Sequence, residues 1–327
     1  MKTQILNLLK QKGDYISGAE ISRRLGVSRA AVWKHIEALR RDGYVIEAAP
    51  RLGYRFVEAP DLLLPAEVQA ALRTRVFGRY YHYLEETGST NDVARGLAAQ
   101  GAPEGTLVVA EQQAKGRGRM GRSWSSPAGG LWFSLVLRPA IHPSGVAGAN
   151  FLAGVACAEA LSSLPGVRPR IKWPNDILLQ DRKVGGILLE LSAEADRVNH
   201  LVLGIGINVN VDLDDFPASL RSNSSSLAAH LGRRVSRLDV LASVLEALEE
   251  WYNRWLREGF APVIAAWREW QESLGKQVRV IDAQGEWLGT AIDVDDHGAL
   301  LVERAPGMVR RVLSGDIFAE IAQPQEG

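Results

Sequence analysis

Gly116-Arg117-Gly118-Arg119-Met120-Gly121-Arg122-Ser123-Trp124 sets three arginines and an indole on a backbone punctuated by glycines. Glycine lets the main chain come close to a ligand, and guanidinium groups grip phosphate or carboxylate through paired donors. The stretch reads as a clasp for an anion. Its glycines also satisfy G-x-G-x-x-G, the dinucleotide fingerprint of a doubly wound parallel sheet. That fingerprint must open a helix and be followed about 20 residues on by an acidic ribose contact. Here Ser125-Ser126-Pro127 follows, then the strand-like Leu131-Trp132-Phe133-Ser134-Leu135-Val136-Leu137, with no Asp or Glu between Glu111 and Glu159. A loop between two strands is therefore expected, with Trp124 available to stack on a flat ring. The plain alternative is a solvated basic loop.

On either side of this loop helices alternate with strands. Helices are expected over 65–75, 91–100 and 147–164, and strands over 80–85, 106–111, 131–138, 170–173, 184–191 and 201–211, the last two joined by a polar turn. Strands joined by hairpins imply a mixed, largely antiparallel sheet with helices on it. Leu241, Val244, Leu245, Leu248, Tyr252 and Trp255 recur at helical spacing and form a packing stripe.

Five clusters carry chemistry. Gly88-Ser89-Thr90-Asn91-Asp92 fits a capping pattern at a strand-to-helix junction and offers hydroxyls and helix N–H groups to a polar ligand. Glu111-Gln112-Gln113 ends a strand with amides that both donate and accept. Lys172-Trp173-Pro174-Asn175-Asp176 closes another strand, where Pro174 stops the ladder. Asp181-Arg182-Lys183-Val184-Gly185-Gly186-Ile187 starts a strand with a lysine and paired glycines; Lys183 is either a solvated turn residue or a cation guiding a carboxylate. Gly204-Ile205-Gly206-Ile207-Asn208 is glycine-punctured strand, with Asn208 directed at a ligand.

Net charge is zero over 327 residues but unevenly spread. Residues 1–60 hold 11 Lys/Arg and 6 Asp/Glu, 61–271 hold 22 of each, and 272–327 hold 5 and 10. In the basic segment a short helix over 17–25, the turn Gly26-Val27 and a second helix capped by Ser28 and running to about Asp42 are the parts of a helix-turn-helix. Val32, Ile36 and Leu39 form its buried stripe, while Arg29, Trp33, Lys34 and Arg40 lie opposite. Two short strands around Pro50-Arg51-Leu52-Gly53 make a wing, with Arg51 placed to touch a phosphate. DNA binding through Ser28, Arg29, Trp33, Lys34 and Arg51 is expected, and a helical protein-contact domain is the alternative. Glu58-Ala59-Pro60-Asp61 is the linker. The last fifty residues read as short strands with turns at Gly285, Gly289 and Gly298, a small acidic β-barrel.

Composition is that of a soluble globular protein, 46% hydrophobic and 23% charged, with no apolar run of membrane-spanning length expected. Cys157 is the single cysteine, in a small-residue helical run, so a disulfide framework and a cysteine-rich zinc site are excluded. Without a secretory signal, the cytoplasm is the expected compartment.

Together these motifs, GRGRMGRSW, KWPND, KVGGILLE and GIGINVN behind a winged helix, resemble the bifunctional biotin protein ligases that also repress biotin genes. The resemblance covers essentially the whole chain. It implies an α+β multidomain protein with a winged helix-turn-helix at 1–60, a mixed-sheet ligase domain of class II synthetase type at 61–273 and an SH3-like barrel at 274–327. It implies that biotin and ATP with Mg²⁺ give biotinyl-5′-AMP and pyrophosphate, and that the acyl group then passes to a lysine of a biotin carboxyl carrier protein.

The resemblance assigns biotin contacts to Ser89, Thr90, Asn91, Gln113, Arg117, Lys183, Gly186 and Ile187. To the adenylate it assigns Arg119, Arg122, Trp124, Lys172, Asn175 and Asn208, with Lys183, Arg117, Arg119 and Asp176 in catalysis. No residue is assigned to a metal. Partners implied are the carrier protein, operator DNA and a second copy of the chain in a ligand-promoted homodimer, with no membrane. Met120 stands where the family often has another arginine. A lipoate ligase would share the core and chemistry, and a biotin-sensing transcription factor without catalysis would need the same loop only for binding.

Overall fold

The computed structural model describes residues 1–282, 285–313 and 315–319. Its chain divides into two units, Met1–Leu62 and Leu63–Gly327.

The first unit contains α1 (Lys2–Lys12), α2 (Gly18–Leu25), α3 (Arg29–Arg41), β1 (Val45–Ala49) and β2 (Gly53–Glu58). Ser17 and Ser28 accept from the backbone N–H of Glu20 and Ala31, capping α2 and α3, and Gly26 closes α2 at φ 66°. These are the helix, turn and helix expected from the sequence. Helix α1 was not foreseen. It contributes Ile5, Leu6 and Leu9 to a core shared with Ile21, Val32, Ile36 and Leu39, but Met1 precedes it without a side-chain cap, so no start signal marks it. The wing is tied down where Ile16 and Tyr54 exchange both backbone hydrogen bonds at 2.9 Å. Gly53 makes this possible: at φ 110°, a Cβ there would stand 2.1 Å from the Ile16 carbonyl oxygen. Trp33 and Lys34 are exposed on α3, and Arg51 sits at the wing tip with φ 65°. Arg40 departs from expectation. Its Nε and Nη2 donate to the Ile46 carbonyl at 3.0 and 2.7 Å and it pairs with Glu37, so it braces α3 against β1 instead of facing a ligand.

The second unit runs α4 (Pro65–Ala71), β3 (Tyr81–Thr87), α5 (Thr90–Ala99), β4 (Leu107–Gln113), β5 (Leu131–Leu137), α6 (Ala147–Ser162), β6 (Arg170–Lys172), β7 (Asp176–Leu179), β8 (Arg182–Ala193) and β9 (Val198–Ile207). Then come α7 (Ala218–Arg221), α8 (Leu227–Leu231), α9 (Arg237–Glu258) and α10 (Ala261–Trp270). The strands form one sheet in the order β3-β4-β5-β9-β8-β7-β6, with β3 and β4 parallel and the other neighbours antiparallel. This is the mixed sheet the hairpins imply. Strand β7 was missed because Pro174 was read as a strand end. It lies instead in the turn of a β6–β7 hairpin that sets Lys172 opposite Asp176, and the Trp173–Pro174 bond is cis. Strand β9 ends at Ile207, four residues before the expected limit.

Strand alternation gives the sheet two faces. Leu107, Val109, Leu135, Leu201, Leu203 and Ile187 share one core with α6 and α9. The run Pro143–Ser162 is long and apolar enough by composition to cross a membrane, contrary to expectation, yet 72% of it is buried. A helix apolar all round belongs inside. Within α6, burial pushes the Cys157 thiol up to about 12, so it packs and does not react. The other face is covered in part by α5, whose Ala94 and Ala98 meet Val108, Val136 and Val202. Beyond that helix the face continues as Ser134, Gly204, Gly206, Gly186 and Leu188.

The C-terminal strands β10 (Gln277–Asp282), β11 (Gly285–Val294), β12 (Leu300–Ala305), β13 (Met308–Val312) and β14 (Asp316–Ala319) form an antiparallel sheet in the order β13-β12-β11-β10-β14. Gly298 occupies a turn at φ 80°, but Gly289 is inside β11, where a Cβ would meet Val302 at 2.6 Å. It marks a close strand contact, not a turn.

Candidate active site

The uncovered half of that face is the floor of a cleft of about 280 Å³. Gly186 and Gly206 lie side by side in register across β8 and β9, and Leu188 lies beside Gly204. The glycines are needed because other groups rest on them. A Cβ on Gly206 would stand 2.7 Å from Trp124 Nε1, one on Gly186 3.0 Å from the same indole, and one on Gly204 2.1 Å from Asn91 Oδ1.

The glycine loop joins β4 to β5, as expected, and closes on itself as a hairpin. Gly118 N donates to Arg122 O at 2.7 Å, Trp124 N to Gly116 O at 2.8 Å and Gln113 N to Ser126 O at 3.1 Å. At the apex Met120 adopts φ 55° and is 66% exposed. The arginines on either side of it are thereby directed toward the cleft while Met120 faces out of it.

One end of the cleft is polar and mostly uncharged. Thr90 donates to Gln113 Oε1 from both its N–H, at 2.8 Å, and its hydroxyl, at 3.0 Å. Gln113 Nε2 in turn donates to Ser126 Oγ at 2.8 Å. The buried Ser134 hydroxyl reaches Thr90 Oγ1 at 2.8 Å and Asn91 Oδ1 at 2.5 Å. Ser89 takes the N-cap position of α5 but forms no capping bond, so the S-x-x-D pattern is not used as a cap. Asp92 instead pairs with Arg95 at 2.6 Å and Arg117 at 2.9 Å.

The other end is cationic. Lys183 Nζ lies 2.6 Å from Asp176 Oδ1 and 5.0 Å from the centre of the Trp124 ring. Lys172 stands 4.8 Å over the Phe318 ring; burial pulls its pKa below the usual lysine range, with Asp176 and Asp316 opposing. Arg119 is likewise lowered by burial and reaches Asn175 Oδ1 at 3.4 Å. Arg122 is paired with Asp316 at 2.5 Å. Among the described residues, Trp124 Nε1 and Asn208 Oδ1 are buried here without a partner. Since buried polar atoms are normally hydrogen-bonded, both suit a ligand that brings donors and acceptors. A nucleotide fits this cationic, partly unsatisfied end.

Every central-domain residue that the resemblance assigns to biotin, the adenylate or catalysis borders this one cleft. Two do so differently than expected. Ile187 sends its side chain into the α6 core, while its carbonyl accepts from Asn175 Nδ2 at 2.7 Å and its N–H donates to the Asn175 carbonyl at 3.0 Å. Asn91 spends its amide on Ser134 and, at 2.7 Å, on Glu190. Sequence reasoning missed Ser126, Ser134, Glu190, and Asp316 and Phe318 of the C-terminal sheet. Ser134 and Glu190 were readable from strand alternation, whereas nothing local marks Asp316. Glu111, offered as a strand-end group, is structural: it forms a buried ion pair with Arg237 at 2.7 Å and accepts from Leu63 N at 2.9 Å. Among the described residues no group of three His, Cys, Asp or Glu is gathered to hold a metal.

Comparison with known proteins agrees with this geometry. The biotin/lipoate A/B protein ligase family matches residues 83–208, an HTH domain family matches 2–55, and the biotin protein ligase C terminal domain matches 273–319. The bifunctional ligase/repressor BirA of Bacillus spizizenii is 41% identical over 97% of this chain and 98% of its own length. Its Escherichia coli counterpart is 31% identical over 96% of each. The solved biotin protein ligase of Aquifex aeolicus, in complex with biotin and ATP, superposes with a TM-score of 0.64 at 29% identity, covering 74% of this chain and 99% of that one.

Proposed function

The chain belongs to the biotin protein ligase family, in the form that carries an N-terminal helix-turn-helix domain, and on that footing we propose the following division of labour. The cleft joins biotin to ATP as biotinyl-5′-AMP with release of pyrophosphate, then passes the biotinyl group to a lysine of a biotin carboxyl carrier protein. The N-terminal unit represses biotin genes. The observation that carries the catalytic reading is the pairing, in one cleft, of an uncharged polar end at Ser89, Thr90 and Gln113 with a cationic end at Arg119, Arg122, Lys172 and Lys183.

The first half-reaction brings a carboxylate to a phosphate, two anions whose approach needs charge neutralisation and positioning more than covalent help from the protein. Ser89, Thr90, Gln113, Arg117 and the Gly186 backbone hold biotin, with Ile187 contributing main chain and Asn91 acting through its neighbours. Lys183, at the cationic end, neutralises the reacting carboxylate and α-phosphate. Arg119, Arg122, Lys172, Asn175 and Asn208 hold the adenylate, and Trp124 supplies a flat apolar surface. Mg²⁺ bound with the triphosphate would supply further neutralisation. Asp176 and Asp316 are the cleft carboxylates that would hold it, which suits an ion that takes one or two carboxylates plus substrate phosphates. In the second half-reaction Asp176 receives the acceptor lysine.

On the regulatory side, Arg29, Trp33 and Lys34 on α3 enter a major groove, with Ser28 at the helix start and Arg51 on a phosphate. The adenylate orders the glycine loop and favours a homodimer, whose two winged helices meet a palindromic operator. The setting is cytoplasmic and involves no membrane. Incubation with ATP, Mg²⁺, labelled biotin and carrier protein should label the carrier; an unlabelled carrier beside folded enzyme overturns the ligase reading. Sedimentation with and without biotinyl-5′-AMP tests the dimer, and an unchanged monomer fraction contradicts it.

A further inference from the structure

Glu190 stands behind the polar end of the cleft, bonded to Asn91 and Arg117, which line it. Gly186, Leu188 and Glu190 alternate onto the face of β8 that floors the cleft, and Glu190 lies opposite Val202, which packs under α5. Its Oε2 accepts from two groups at once, Asn91 Nδ2 at 2.7 Å and Arg117 Nη2 at 3.0 Å. Its other oxygen lies 3.4 Å from Arg95 Nη1. The side chain is 24% exposed, against 46% for Asp92, which meets the same Arg117 nitrogen from α5.

We infer that Glu190 is a positioning residue for the biotin pocket: one carboxylate oxygen fixes both the glycine-loop Arg117 and the α5 Asn91, and so sets the direction in which the guanidinium meets substrate. This rests on the reading of the polar end as the biotin site. An unheld arginine samples many rotamers, and ordering it on binding weakens affinity. Asp92 alone holds Arg117 poorly, because a half-exposed ion pair is screened by water. Glu190 is anchored on a central strand and bonded to an amide that is itself buried, 4% exposed, and held from the other side by Ser134. Hydrogen bonds linked in this way reinforce one another. Without Glu190, Asn91 Nδ2 keeps only a 3.4 Å contact to the Leu188 carbonyl, and the pocket wall and the loop lose the group they share.

The test uses the full-length protein and biotin-dependent pyrophosphate exchange, with KM for biotin and for ATP measured separately. Glu190→Ala should raise KM for biotin about tenfold, the change that goes with loss of one charge-assisted hydrogen bond. Its KM for ATP should move by less than about twofold, since that end of the cleft adds independently. Glu190→Gln, which keeps the shape and an acceptor for Asn91 but not the charge on Arg117, should fall between and serves if the alanine variant does not fold. In an Arg117→Ala background the same substitution should add less than about twofold, because residues acting as one unit are not additive. An unchanged biotin KM, an equal rise in both KM values, or full additivity with Arg117→Ala would each overturn the assignment. Absence of exchange in the unaltered protein would overturn the ligase reading, and the assignment with it.

Discussion

Nζ of Lys183 lies 2.6 Å from Oδ1 of Asp176, and the two side chains come from neighbouring strands, β8 and β7. The ammonium also lies 5.0 Å from the centre of the Trp124 ring. It is therefore held between a carboxylate and an indole at the cationic end of the cleft. Lys183→Ala removes a charge aimed at the reacting phosphate, for which losses of about a hundredfold or more in kcat are usual. Pyrophosphate exchange should fall accordingly, and near-normal exchange would take Lys183 off the catalytic list.

Besides holding Lys183 and facing the triphosphate and its Mg²⁺, Asp176 is assigned to receive the acceptor lysine. That acceptor has a free pKa of about 10.4 and needs help to present a neutral amine. Asp176→Asn should therefore slow transfer from preformed biotinyl-5′-AMP to the carrier by more than it slows adenylation, as single-turnover measurements of the two steps can show. Equal slowing of both would confine Asp176 to orienting Lys183.

Trp124 rests on Gly206, where an added Cβ would meet Nε1 at 2.7 Å and Cε2 at 2.9 Å. Because Gly206 is in the middle of the sheet its backbone cannot yield, and the indole must lift. Gly206→Ala should weaken binding of the adenylate by about tenfold or more, the scale of about one to three kcal/mol expected of overpacking. Titration calorimetry checks this, and unchanged affinity would mean that the ligand does not use the Trp124 surface.

Burial lowers the pKa of Lys172 below the ordinary lysine range. The protonated form is the one that binds phosphate, so binding to the free enzyme is lost as pH rises through this lowered pKa. The pH profile of kcat/KM for ATP, which reports the free enzyme, should show an alkaline limb earlier than a solvated lysine would give. Bound phosphate favours the charged form, so the limb in kcat should lie at higher pH. Lys172→Arg, which stays protonated throughout, should shift or remove the limb in kcat/KM; a limb at the same pH in that variant would assign it to another group.

The chemistry of the cleft was legible because Arg117, Lys172, Lys183 and the glycines of β8 and β9 carry it in short segments. That the glycine loop joins two strands also followed from what comes after it. What the glycines accommodate was not legible: Trp124 and Asn91 reach them only through the register that sets Gly186 beside Gly206 and Ser134 beside Gly204. The same holds for Arg122 and Asp316, partners 194 residues apart in the chain. Arg40 misled because helical periodicity gives a residue's side of the helix but not its partner, the Ile46 carbonyl of β1. Helix α1 and strand β7 escaped for a local reason, the first lacking a capping side chain and the second following a proline that turns a hairpin.

The account stands or falls on adenylation, and biotin-dependent exchange of labelled pyrophosphate into ATP with Mg²⁺, run beside lipoate, tests it most directly. Exchange with biotin and none with lipoate is the expected result. No exchange with either acid, in protein shown to be folded, would contradict it and leave a biotin-sensing transcription factor without catalysis, while exchange with lipoate alone would make the chain a lipoate ligase.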